Sequence, residues 1–91
     1  MDLPRIKARI LEIASNPKNV DFEDLIRLLD NHIGPLYQNY NHHGSPHHAF
    51  TLGGETFNVS QPKRGPVKKP YVEKFLDAME ALELYDPEER Q

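Results

Sequence analysis

The chain has no cysteine and no tryptophan. Without cysteine there is no disulfide framework, no thiolate-ligated zinc and no thiol nucleophile, and the composition suits a reducing compartment. No apolar run approaches the ~20 residues that a membrane span requires. The opening MDLPRIKARI places charges inside its apolar pattern and lacks the uninterrupted apolar stretch of a secretory signal. The expectation is a cytoplasmic protein with no membrane segment. Apolar residues make up only 37% of 91 residues, which limits the chain to one small domain with a modest Leu/Ile/Phe/Tyr core.

Periodicity predicts two helices first. Leu3, Ile6, Ile10 and Ile13 recur at helical spacing behind Asp2, and Asn16-Pro17 stops them. Asp21 opens a second helix with Phe22, Leu25, Ile26, Leu29 and Ile33 on one stripe, and Gly34-Pro35 ends it. Leu36–Tyr40 then reads as a first, aromatic-bearing strand, with Tyr37 and Tyr40 expected to pack rather than stack on bases. Asn41–Pro46 reads as a polar loop. His47–Leu52 and Glu55–Ser60 flank Gly53-Gly54, a hairpin signal. Alternation puts Phe50, Leu52, Phe57 and Val59 on the core face, His47 on the polar face and His48 on the core side at the strand end. Gln61–Lys69 is a Pro/Gly-containing basic loop, and Pro70 introduces a helix with Val72, Phe75, Leu76, Met79 and Leu82 on its stripe. The expected class is α+β, a three-stranded antiparallel sheet with helices on one face.

Charge is unevenly spread. Residues 61–74 carry Lys63, Arg64, Lys68, Lys69 and Lys74 against Glu73, a balance of +4. Residues 75–91 carry Asp77, Glu80, Glu83, Asp86, Glu88 and Glu89 against Arg90, a balance of −5. The chain as a whole is at −3, so any polyanion partner must be met locally, by the basic loop.

Four of the five histidines, His42, His43, His47 and His48, fall within seven residues. Neighbours in extended chain point to opposite sides, so each His-His pair offers one ligand to a given point, and no acid lies between Asp30 and Glu55. No native metal site and no cofactor are expected, only adventitious nickel or zinc binding. A second reading is proton transfer on RNA. His47 lies on the polar face, and the Lys63–Lys69 loop leaves the neighbouring strand, so its cations approach the same phosphate. Against this stands an ordinary surface histidine in a polar loop.

Three segments resemble the HicA toxin family, the RNA-cleaving half of HicA–HicB toxin–antitoxin pairs. They are Phe22–Leu29, the run Gly44-Ser45-Pro46-His47-His48-Ala49-Phe50, and the stretch from Phe57-Asn58-Val59 through Pro62 and Lys68-Lys69 to Val72–Met79. The resemblance spans roughly residues 22–82 and implies a double-stranded-RNA-binding-domain-like α-β-β-β-α fold carrying an extra N-terminal helix. On that basis residues 1–20 form a helical extension, 21–85 the RNA-binding and RNA-cleaving domain, and 86–91 a frayed tail. It further implies metal-independent cleavage of mRNA by a motif histidine, and a HicB-like antitoxin partner. Pro46 separates Gly-Ser from His-His, so the catalytic role falls on His47 or His48, and parity and motif order favour His47. Ser45, Lys63, Arg64, Lys68 and Lys69 would hold the RNA. The other readings of the same scaffold are an inactive RNA-binding module and a protein-interaction module.

Overall fold

In the computed structural model, residues 1–89 are described. Helix α1 (Leu3–Ser15) starts where expected, because the Asp2 carboxylate accepts from the Arg5 amide at 3.1 Å. Helix α2 (Phe22–Leu28) is capped in the same way, with the Asp21 carboxylate accepting from the Asp24 amide at 3.0 Å. The helix does not stop there. It widens into a π-helical turn over Leu29–Ile33 and tightens into a 3-10 turn over Gly34–Leu36.

That continuation moves the first strand. The expected strand at Leu36–Tyr40 is instead the end of the 3-10 turn followed by a second turn, with the Tyr37 amide donating to the Gly34 carbonyl and the Tyr40 amide to that of Tyr37. Strand β1 is Asn41–His43, inside the segment expected to be a loop. The polar sequence suits this short edge position, because only His42 turns inward. Its ring stacks on Phe50 at 4.3 Å. Tyr37 and Tyr40 pack against the core, as expected.

Strands β2 (His47–Leu52) and β3 (Glu55–Ser60) have the expected bounds and register, from His47 opposite Ser60 to Leu52 opposite Glu55. Gly53, at φ +58, supplies the turn conformation that other residues adopt at a cost. The Asn39 side chain clamps it, donating to the Gly53 carbonyl at 2.6 Å and accepting from its amide at 2.8 Å. The sheet order is β1-β2-β3, antiparallel throughout.

Helix α3 (Lys69–Ala81) presents Val72, Phe75, Leu76 and Met79 to the sheet, and Phe75 meets Phe57 edge-on at 6.0 Å. It ends with Glu83 at φ +63, the Leu84 amide donating back to Met79 and the Glu83 amide to Glu80. Leu84 and Tyr85 are buried beyond it, so the acidic end is anchored rather than a simple solvated helix terminus. Within the tail expected to fray, Pro87–Glu89 forms a 3-10 turn, and residues 90 and 91 lie outside the described region.

The fold is α+β, an open three-stranded antiparallel sheet with three α-helices. Ile6, Ile10 and Ile13 of α1 share one continuous core with Phe50, Leu52, Phe57 and Val59 of the sheet and with α3. No described helix is long and apolar enough to cross a membrane.

Candidate functional site

The turn joining β1 to β2 is set by Gly44. Its φ is +92, and a Cβ there would lie 2.4 Å from the His47 carbonyl oxygen, so only glycine fits without displacing the backbone. The Pro46 carbonyl accepts from the Gln61 amide at 2.8 Å, which ties this turn to the chain leaving β3. The consequence is a division of the histidines. His43 and His47 stand on the open face of the sheet, while His42 and His48 turn toward the helices.

The inward pair forms a chain of hydrogen bonds. Asp30 Oδ1 lies 2.8 Å from His42 Nδ1, His42 Nε2 lies 2.8 Å from His48 Nδ1, and His48 Nε2 lies 3.3 Å from Gln61 Oε1. The Tyr40 hydroxyl donates to the same Asp30 oxygen at 2.5 Å. Rings hold the chain in place, with His42 stacked on Phe50 and His48 at 5.1 Å from Phe22. The π-helical turn carries Asp30 into this contact. Gly34 leaves room for Tyr40, since a Cβ at that position would lie 2.6 Å from the Tyr40 ring.

Burial pushes the Tyr40 phenol above its usual range, and the hydrogen bond to Asp30 and the charge of Asp30 add to the effect. Burial alone raises Tyr37. Above about pH 10 the unfolded chain loses a phenolic proton that folded Tyr40 keeps. The unfolded state then binds fewer protons, so stability is fully present below that pH and falls as pH rises. Tyr40→Phe should therefore flatten the decline of the urea midpoint above about pH 10, with Tyr37 leaving a residual slope. An unchanged slope would contradict this assignment.

The cations gather beside the same strand ends. A cleft of about 400 Å³ is lined by Ser60, Gln61, Lys63, Arg64, Lys68 and Tyr71 together with two prolines. Its loop is anchored by Val67, which is buried and donates its amide to the Val20 carbonyl at 2.8 Å. Among the described residues Lys63, Arg64 and Lys68 make no ion pair, so their charge is open to an anion. His47 reaches the cleft wall through Ser60, with Nδ1 to Oγ at 3.3 Å, and His48 reaches it through Gln61.

The expected residues are thus gathered in part. Lys63, Arg64 and Lys68 line one cleft, while His47 and His48 lie outside its lining, each hydrogen-bonded to a residue that lines it. Lys69 opens α3 outside its lining, and Ser45 is exposed in the Gly44 turn, also outside it. Sequence reasoning missed Asp30, His42, Gln61 and Tyr71. His42 had a signal, because it falls in phase with Phe50 and His48 once β1 is placed correctly. Asp30 had none, since its approach depends on the widened helical turn.

The four histidines do not converge on a point. His42 Nε2 and His48 Nδ1 face each other at hydrogen-bond distance, and among the described residues no group of three His, Asp or Glu side chains is placed to hold a metal. No family model, curated protein or solved structure matches the chain.

Proposed function

We propose that the chain is a ribonuclease of the kind its sequence resembles, a HicA-like toxin. In this reading it cleaves mRNA in the cytoplasm without a metal and is neutralised by a HicB-like antitoxin. The observation that carries the reading is that two histidines bond to Ser60 and Gln61, which line one cleft together with three cations that make no ion pair among the described residues. In this reading the sheet with α2 and α3 is the double-stranded-RNA-binding-domain-like core, and α1, which packs against α3, is an addition to it. The antitoxin rests on the sequence resemblance alone.

The chemistry is transesterification. A histidine takes the 2′-OH proton, the 2′-oxygen bonds to phosphorus, the P–O5′ bond breaks, and the 5′-oxygen leaves with a proton from an acid or water. Lys63, Arg64 and Lys68 neutralise the phosphate oxygens as charge builds on them. They also supply affinity, because each phosphate contact releases counterions.

Cleavage of single-stranded RNA by the purified chain in the presence of a chelator tests the reaction. Replacing Lys63, Arg64 and Lys68 together by alanine should lower the slope of log K against log salt by about 2, at about 0.7 per lost contact. An unchanged slope would remove the cleft from the reading. Binding that persists with no cleavage would leave a non-catalytic RNA-binding module.

A further inference from the structure

We propose that Asp30 and His42 are positioning residues for His48. They hold its proton on Nδ1 and leave Nε2, which faces the cleft-lining Gln61, as the atom that exchanges a proton with RNA. This rests on the ribonuclease reading and names the group that serves it.

The hydrogen-bond network assigns the tautomers from one end. Asp30 as a carboxylate only accepts, so His42 donates to it through Nδ1–H. Neutral His42 then has a bare Nε2, which accepts from His48 Nδ1–H. That leaves the lone pair of His48 on Nε2, and against neutral His48 the Gln61 carboxamide, whose oxygen faces this nitrogen at 3.3 Å, must turn over to present its NH2. An imidazole held in one tautomer by a carboxylate-anchored partner is how proteins prepare a histidine for proton transfer. Here a second imidazole carries the influence of the carboxylate across β1 to β2.

Gln61 fits either state of that nitrogen. Its carboxamide NH2 donates to a bare Nε2, and its oxygen accepts from a protonated one, the orientation seen at 3.3 Å. When Nε2 takes the 2′-OH proton, His48 becomes an imidazolium whose Nδ1–H still points along the chain toward the Asp30 charge. The titratable groups packed around His48 are His42 and, behind it, Asp30 and Tyr40. Ring rotation is checked by Phe50 beneath His42 and Phe22 beside His48. His47 lacks such support. Among the described residues its one side-chain hydrogen-bond partner is the Ser60 hydroxyl on the open face.

The test uses the full chain with 15N-labelled histidine. In the parent, neutral His48 should show Nδ1 protonated and Nε2 bare. His42→Phe keeps the stack on Phe50 but removes the acceptor, and Asp30→Asn removes the charge. Each should lower kcat for RNA cleavage by about 10- to 100-fold, by analogy with the loss seen when the partner behind a metal-ligating histidine is removed, with KM little changed. His42→Phe should also release His48 into a tautomer mixture. A parent His48 protonated on Nε2, or a kcat unmoved by both variants in a parent that cleaves RNA, overturns the positioning role. A parent that cleaves no RNA overturns the ribonuclease reading itself, whatever tautomer His48 shows.

Discussion

Replacing His48 by alanine is expected to slow RNA cleavage by roughly 10²- to 10⁴-fold, the usual contribution of a positioned general base. RNA affinity should stay nearly unchanged, because it comes from the cations of the basic cleft rather than from this ring. The split between rate and affinity is the informative part. A histidine that only packs against Phe22 would, when removed, lower stability and leave the rate per folded molecule alone. Single-turnover cleavage and filter binding on the same preparations separate the two. His47→Ala should cost less, since among the described residues His47 has only a serine hydroxyl to orient it. His32, in the π-helical turn and outside the cleft lining, provides the control. A larger loss for His47→Ala than for His48→Ala would reverse the assignment.

That assignment differs from what parity in the sequence favours. Alternation correctly sends His47 to the open face and His48 inward, and an outward histidine reads as the accessible one. The strand-end position of His48 is legible as well, but alternation cannot register what His48 meets there. There His48 meets a second histidine on one side and the cleft wall on the other. The missing piece is β1. The chain was expected to extend at Leu36–Tyr40, where Tyr37 and Tyr40 look strand-forming. The Pro35-led 3-10 turn keeps it coiled, and extension begins only at Asn41. With β1 displaced, His42 appeared to lie in a loop, and its pairing with Phe50 was hidden.

The elements that were legible are those fixed by local chemistry. Asp2 and Asp21 cap the helices they precede, and Gly53-Gly54 closes the hairpin in the expected register. The apolar alternation of β2 and β3 survives because one face is buried, and a slip of one residue would reverse it. Asp30 illustrates the opposite case. Its contact with His42 joins residues twelve apart through a helical turn of unusual pitch, and no local rule points to it.

The charge asymmetry also becomes interpretable. Glu80, Glu83, Asp86 and Glu89 line a groove beside Lys7 of α1, and none of them lines the basic cleft. A chain at −3 can therefore present to an anion cations that make no ion pair among the described residues, because none of these acids lines the same cleft.

The site and the core meet at Phe50, and Phe50→Ala should show it. Phe50 is fully buried, with His42 stacked on it at 4.3 Å and Phe57 at 5.2 Å. Truncating a buried phenylalanine costs about 3–5 kcal/mol from lost transfer energy and the cavity left behind. Total stability in domains of this kind is about 5–15 kcal/mol, and a small chain sits toward the lower end. The urea midpoint should fall sharply, and a substantial fraction of the variant should be unfolded near 37 °C. Phe50→Leu should retain much of the stability while still removing the aromatic face under His42. In that variant the His48 tautomer should blur although the fold persists, which separates support of the ring from support of the core. A Phe50→Ala chain within about 1 kcal/mol of the parent would mean that the strand pair tolerates the cavity. The relay would then have to be held by Asp30 and Phe22 rather than by the stack.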